Sequence, residues 1–349
     1  MKISEIINDY YDAYLAKFKD KILPSHIKAL NSMRRCRTAE SGEVYMRCPD
    51  CEHSEWRPLS CGHRNCPQCQ NHETSTWIDR QIQKLLPVQY FMVTFTLPYE
   101  FRSVTYENQQ KVFPIMFSCV STTLADFGLN PKHLGASIGM TMALHTHSRN
   151  LNYHPHMHVI VPGGGIDENR KQWKKIKGEY LFNQNALAKV FRARFLDALN
   201  KEKLSVPKGI RPKWVVDCKH VGNGSKALLY LSRYLYRGVI SEKNIIANHN
   251  GYVTFKYTES KTGNTCYRTL KGENFLNLIL RHVLPKGFRR VRDYGFLHSN
   301  SKKLLFLVQI VLHMRIKPIE IRKKPAFKCP RCKAQMVAMG IRITGLKPG

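Results

Sequence analysis

Between Tyr153 and Gly165 the chain reads His154-Pro155-His156-Met157-His158-Val159-Ile160-Val161-Pro162-Gly163-Gly164. Histidines two apart share a side only on an extended strand; on a helix the same spacing would scatter them. The apolar residues among and after them (Met157, Val159, Ile160, Val161) suit the buried side of a sheet. One strand face thus offers two or three imidazoles to a single divalent cation, with His156 and His158 as the core pair. A firmly held cation needs a third ligand. His154 has the right parity, but Pro155 leaves open how far the strand reaches. His145 belongs to the preceding strand of an expected hairpin and reaches the same point from the side, with His147 as a lesser alternative. The competing reading is a satisfied core or a solvated strand end.

The 349 residues can bury a large core and more than one domain. Lys and Arg outnumber Asp and Glu by 56 to 25, a net charge of +31. That field attracts polyanions, nucleic acid first among them, although a basic protein with another role has the same charge. Residues 281–349 hold 17 Lys/Arg against Asp293 and Glu320, nearly half of the surplus in a fifth of the chain. The N-terminus lacks the apolar region of a signal peptide. No apolar run approaches membrane-spanning length, so no membrane partner is expected. Six of the 11 cysteines fall into three Cys-x-x-Cys pairs. Without an export signal, that pattern points to zinc in a reducing cytoplasm.

The pattern predicts helices within 1–40, a Cys/His-rich module at 45–72 and a helix at 74–86 that ends at Pro87. Strands are predicted at 91–98, 137–147 and along the histidine run, then at 214–221, 244–258 and 265–270. Helices are predicted at 186–200, 225–240 and 273–284. The fold class is α+β: an N-terminal zinc-binding module, then a catalytic domain with a central, mainly antiparallel sheet flanked by helices. Boundaries fall at 1–87, 88–300 and a basic tail, 301–349, with a Cys-x-x-Cys knuckle.

On the helix at 225–240, Lys226, Tyr230, Arg233, Tyr234 and Arg237 share one stripe, and Leu228, Leu231, Leu235 and Val239 the opposite one. Two tyrosines one turn apart, framed by cations, suit nucleophilic attack on phosphate. A free tyrosine is only about 0.1% ionised at neutral pH, so it needs activation. A metal that polarises the phosphate and arginines that favour the phenolate supply it. Tyr236 faces away and reads as packing. Amphipathic core-edge residues would look the same, so this helix alone decides nothing.

The module reads Cys48-x2-Cys51-x9-Cys61-x-His63-x2-Cys66-x2-Cys69. Cys48, Cys51, Cys66 and Cys69 make one complete tetrahedral zinc site. Cys61 and His63 are left over, in the order of a cross-braced two-zinc module. Cys329 and Cys332 would complete the second site if the tail folds back; the simpler expectation is an isolated knuckle, with Cys61 structural. These zinc sites show no open position, which suits a structural or DNA-binding role. Gly163-Gly164-Gly165 either admits a phosphate or simply ends the strand. The segment from Phe288 to Phe296 interleaves cations with rings, as single-stranded nucleic acid binders do and as solvated basic helix ends also do.

Taken in order, these pieces resemble the HUH rolling-circle transposases of the insertion-sequence-91 type. The resemblance rests on Ser60-Cys61-Gly62-His63-Arg64-Asn65-Cys66-Pro67-Gln68-Cys69-Gln70, on Phe91 to Pro98 and on the histidine strand with its three glycines. It continues in Val221-Gly222-Asn223-Gly224, Tyr230-Leu231-Ser232-Arg233-Tyr234 and Arg292-Asp293-Tyr294-Gly295-Phe296-Leu297. It implies a ferredoxin-like or palm-like antiparallel sheet with His156 and His158 as the HUH pair, and Mg²⁺ or Mn²⁺ beside structural Zn²⁺. It also implies single-stranded DNA at element ends and target as substrate, with Tyr230 and Tyr234 as the nucleophiles of a two-tyrosine enzyme forming 5′-phosphotyrosine. A bacterial, cytoplasmic, nucleoid-associated setting goes with it. A replication-initiator nickase and a non-catalytic zinc-dependent DNA-binding regulator are the alternatives.

Overall fold

The computed structural model describes residues 1–69, 71–235, 239–259, 262–314 and 326–343; the side chains of 71, 72, 230 and 233–235 lie outside that description. In chain order the helices are α1 (Ile3–Phe18), α2 (Pro24–Arg35), α3 (Asn71–Ile82), α4 (Arg102–Glu107), α5 (Gln109–Leu129), α6 (Gln184–Lys201), α7 (Ser225–Leu235), α8 (Gly272–Leu280) and α9 (Lys302–Val311). The strands are β1 (Glu43–Arg47), β2 (Ser54–Pro58), β3 (Tyr90–Thr96), β4 (Gly139–His147), β5 (Tyr153–Pro162), β6 (Gly164–Asp167), β7 (Gln172–Lys175) and β8 (Val215–His220). They continue with β9 (Ile245–His249), β10 (Tyr252–Thr258), β11 (Thr265–Lys271), β12 (Val291–Gly295) and β13 (Val337–Arg342). The mixed α+β class expected from the sequence is the observed one.

The central sheet runs β12-β4-β5-β3-β8, and every neighbouring pair is antiparallel. Strand alternation splits its side chains into two layers. Phe91, Val93, Phe95, Met140, Met142, Leu144, Met157, Val159 and Val161 enter the main core with α5 and α6. Tyr90, Ala143 and Ile160 emerge on the other face, where Ala227, Leu228 and Leu231 of α7 cover them. Leu228 and Leu231 are thus on the inward stripe the sequence assigns them.

The 21-residue α5 has a stretch of mean hydropathy 1.5, long and apolar enough by composition to cross a membrane. The sequence reading finds no such run. In the fold Val112, Phe113, Met116, Phe117, Val120 and Leu124 are fully buried in the main core, which makes α5 a core helix.

The N-terminal helices do not pack on the central sheet. Ile3, Ile6, Ile7 and Tyr14 of α1 join Phe255 of β10 and Phe275, Leu276 and Ile279 of α8 in a second core. Glu242 ties the two parts: its Oε1 accepts from the Ile3 amide (2.9 Å) and from Gln68 Nε2 (2.9 Å). The described part of the stretch 301–349 also packs on the rest of the chain. Its α9 packs Val308 against Ile166, Phe296 and Leu297, and β13 pairs antiparallel with β1.

The segment 288–296 is neither a helix end nor a row of open rings. Val291–Gly295 is edge strand β12, and Phe288 and Tyr294 pack on Phe117. The Arg292 guanidinium lies 4.2 Å from the Phe117 ring, so its cation faces an aromatic already in place. Asp293 accepts from Thr141 Oγ1 (2.7 Å), Lys84 Nζ (2.6 Å) and Gln81 Nε2 (3.2 Å), fastening the end of α3 to the sheet. The glycine run is a close-packing device: a Cβ at Gly164 or Gly165 would meet Lys174 O or Ser137 O at 2.6 Å. It leaves no cradle for phosphate.

Two buried imidazoles set an acid limit on stability. Burial pushes His26 down to about 4 and His282 to about 3, from an ordinary value of 6.5. His282 donates from Nε2 to Leu151 O at 2.9 Å, whereas His26 has no hydrogen-bond partner among the described residues. Above pH 6.5 both are neutral, folded or unfolded, and contribute no pH dependence. Below 6.5 the unfolded chain takes up protons that the folded one refuses, so stability falls as pH drops toward 4. The slope is up to about 1.4 kcal/mol per pH unit for each histidine. Melting curves from pH 7 to 4.5 should show this loss, and His26→Leu should flatten its share of it; an unchanged slope in that variant would remove His26 from the explanation.

Candidate functional site: three imidazoles facing a tyrosine-bearing helix

Central strand β5 sits between β4 and β3, with His156 opposite His145 and Thr96, and His158 opposite Ala143 and Thr94. All three histidines have the parity of Ala143 and Ile160, so they lie on the face that carries α7. Their rings form a triangle: centroids are 4.4 Å apart for His145–His158, 4.9 Å for His156–His158 and 5.1 Å for His145–His156. One nitrogen from each lies within 4.8 Å of the others. Such convergence fits a cation.

Protonation agrees. Burial drives His156 down to about 3 and His158 to about 4; it drives His145 well below its ordinary value, with His158 and His156 adding repulsion. At neutral pH all three are neutral, the form that donates a lone pair to a metal. His156 Nδ1 bonds His154 O at 2.7 Å, which requires it to carry the proton and leaves Nε2 as the basic nitrogen. His158 Nδ1 lies 3.0 Å from Thr94 Oγ1.

Of the third-ligand candidates, the structure brings in His145 and leaves out His154. The Arg102 guanidinium donates to His154 Nδ1 at 3.0 Å and holds that ring aside. His147 is diverted by a bulge between His145 and His147 and packs at a 60° tilt against His282, centroids 5.2 Å apart. Neither Arg102 nor Thr94 is legible as a site neighbour in the sequence, because Arg102 reaches in from α4 and Thr94 from the neighbouring strand β3.

Helix α7 carries positions 230, 233 and 234. The side chains of Tyr230, Arg233 and Tyr234 lie outside the described residues, as does Arg237 altogether. A cavity of about 550 Å³ opens where α7 meets β3, lined by Met92, Val221, Gly222, Asn223, Lys226 and Ala227. Met92 stands two residues from Thr94, the register partner of His158, on the same strand face.

The cysteines do not group as their spacing predicts. Cys66 and Cys69 meet Cys61 and Cys36, and Cys48 and Cys51 meet Cys329 and Cys332. In the first group Sγ–Sγ distances are 3.4 Å for Cys36–Cys69 and 3.6 Å for Cys61–Cys69 and Cys36–Cys66. Four sulfurs on one zinc, at about 2.3 Å each, stand about 3.8 Å apart. Donor type and spacing therefore fit. Hydrogen bonds from Cys36, Cys61 and Cys66 hold the Cys69 thiol far below its ordinary value. His63 is not in either group; its Nδ1 accepts from the Asn65 amide at 3.3 Å. Cys36 was missed because it ends α2 without a Cys-x-x-Cys mate. The available signal was Cys61, which needed a partner.

Residues 139–304 match the family model described as "Putative transposase", and residues 6–97 the one described as "Transposase zinc-binding domain". The "Putative transposase y4qJ" of Sinorhizobium fredii is 32% identical over 325 residues, covering 86% of this chain and 81% of its own. The "Transposase for insertion sequence element IS801" of Pseudomonas savastanoi pv. phaseolicola is 25% identical over 363 residues, covering 92% and 86%. No solved structure matches significantly. With a zinc-binding module ahead of the sheet that carries the histidines, the chain belongs to the insertion-sequence-91 family of transposases.

Proposed function

We propose that this transposase cleaves and rejoins single-stranded DNA at the ends of its mobile element through 5′-phosphotyrosine intermediates. Tyr230 and Tyr234 are the nucleophiles, and His145, His156 and His158 hold a Mg²⁺ or Mn²⁺ ion. The observation that carries the reading is the shared sheet face. Helix α7 packs through Leu228 and Leu231 on Ala143 and Ile160, and Ala143 is the register partner of His158.

In the first step a tyrosine oxygen bonds to the scissile phosphorus, the bond to the 3′-oxygen breaks, and the phenolic proton ends on the departing 3′-hydroxyl. One phosphodiester replaces another, so rejoining needs no external energy source. Arg233 and Arg237 stabilise the phenolate and the crowded phosphate. A divalent cation bound by the three imidazoles supplies Lewis-acid polarisation of the phosphate oxygens. Imidazole donors suit Mn²⁺ better than Mg²⁺. With Tyr230 holding one cut end, Tyr234 can open a second junction before the first is resealed.

A 3′-labelled single strand that carries an element end tests the reading. With Mn²⁺ it should yield a label that migrates with protein on a denaturing gel, and a released fragment that a polymerase extends from its 3′-hydroxyl. Equal cutting of duplex, or a fragment with a 3′-phosphate, would contradict it. Failure of any label to join protein would favour a non-catalytic DNA-binding regulator.

A further inference from the structure

The second cysteine group draws its members from opposite ends of the chain. Cys48 Sγ lies 3.4 Å from Cys332 Sγ, and Cys51 Sγ lies 3.6 Å from Cys329 Sγ. All four are free thiols, and their sulfurs lie within 4.8 Å of one another. These separations are close to the about 3.8 Å expected around a tetrahedral zinc.

The two turns are built alike. Both read Cys-Pro-x-Cys, as Cys48-Pro49-Asp50-Cys51 and Cys329-Pro330-Arg331-Cys332. In both, the first cysteine's amide donates across the turn at 2.8 Å, Cys48 to His53 O and Cys329 to Ala334 O. In both, the residue after the second cysteine takes a positive φ: Glu52 at 56° and Lys333 at 65°. That is an uncommon conformation for residues with a Cβ. Paired knuckles of this build are what a four-thiolate zinc site needs from each half.

The apolar part of the remaining contact is small, although Arg342 also lies over the Trp56 ring and Arg57 over the Phe327 ring. Every residue of β13 is exposed although all but Met339, at a bulge, are paired with β1. The core shared with the N-terminal module consists of Val44, Met46, Cys48, Cys329 and Met336, with Leu59 and Ala334 partly buried beside it. Only three of the buried residues, Val44, Met46 and Met336, are fully apolar side chains that gain by leaving water. Ordering residues 326–343 costs backbone entropy at every position. The Arg342–Glu43 ion pair is partly exposed and adds little. A metal bound only by the folded arrangement stabilises the docked segment further.

We infer that Cys48, Cys51, Cys329 and Cys332 form a second zinc site, a clasp that fastens the C-terminal segment onto the N-terminal module. The matched zinc-binding domain, residues 6–97, contains only half of its ligands. The clasp is separate from the Cys36, Cys61, Cys66 and Cys69 site and does not depend on the proposed DNA chemistry. Zinc occupancy thereby decides whether β13 completes the β13-β1-β2 sheet.

Full-length protein, purified with zinc and without chelator, should release two zinc ions per chain on thiol modification. Cys329→Ser/Cys332→Ser should release one. In zinc-replete buffer that variant should be cut by protease within 326–343 at least tenfold faster than the parent, while the central sheet stays resistant. Cobalt titration of the unaltered chain covers the case of a variant that fails to fold. Two equivalents should enter sites with tetrahedral, thiolate-rich spectra. One equivalent, or a double variant that still releases two zinc ions, would overturn the clasp.

Discussion

Tyr230→Phe/Tyr234→Phe protein should bind element-end DNA normally and form no covalent adduct with it, a loss of at least about 10³-fold in cleavage. Phenylalanine keeps the ring and differs little in helix propensity, so α7 should still seat Leu228 and Leu231 on Ala143 and Ile160. Only the phenolic oxygens disappear. Each single variant should keep a trappable adduct but lose joint processing of two junctions, because one nucleophile cannot hold both ends. A 3′-labelled oligonucleotide on a denaturing gel reads both outcomes, and zinc content checks the fold. Adduct formation that persists in the double variant would remove these tyrosines from the mechanism.

The second large effect concerns Cys36. Cys36→Ser should release one zinc and lower the melting temperature by about 10 °C or more, equivalent to at least about 3 kcal/mol for a domain-sized unit. The reason lies in where the first site sits. Cys36, Cys66 and Cys69 are part of the second core, packed with Ile7, Leu30, Phe255 and Phe275. Freeing the metal would turn thiolates loose inside an apolar cluster and unlatch α1 and α2 from α8. Zinc content and calorimetry check the outcome. An unchanged zinc content would return Cys36 to the status of a buried free thiol.

What could be read from the sequence depended on whether a feature was local. The spacing of His154, His156 and His158 dictates a strand, and the strand exists over Tyr153–Pro162. The 3.6-residue period around Leu228 and Leu231 located α7. Both signals live within ten residues. The cysteine grouping failed because zinc ligation ignores chain distance: Cys36 is 30 residues from Cys66, and Cys48 is 284 from Cys332. Spacing identifies knuckles but not their mates. His154 failed for a similar reason. Its parity was right, but Arg102, from a helix the sequence reading did not foresee, captures its Nδ1. Helix α5 went unread although Gln110, Pro114, Ser118, Thr122 and Asp126 form an exposed row one turn apart: the row is one residue wide and includes a proline, so the broad apolar remainder masks its period.

Iron affinity cleavage tests most directly whether the imidazole triangle and the tyrosine helix form one site. Fe²⁺ loaded into the protein, with ascorbate and peroxide, cuts backbone close to the ion that generates the radical. The account expects cuts within 223–235 and beside His145 and His158, all lost in His156→Ala. Cuts confined to the cysteine groups, or a pattern indifferent to His156→Ala, would contradict it.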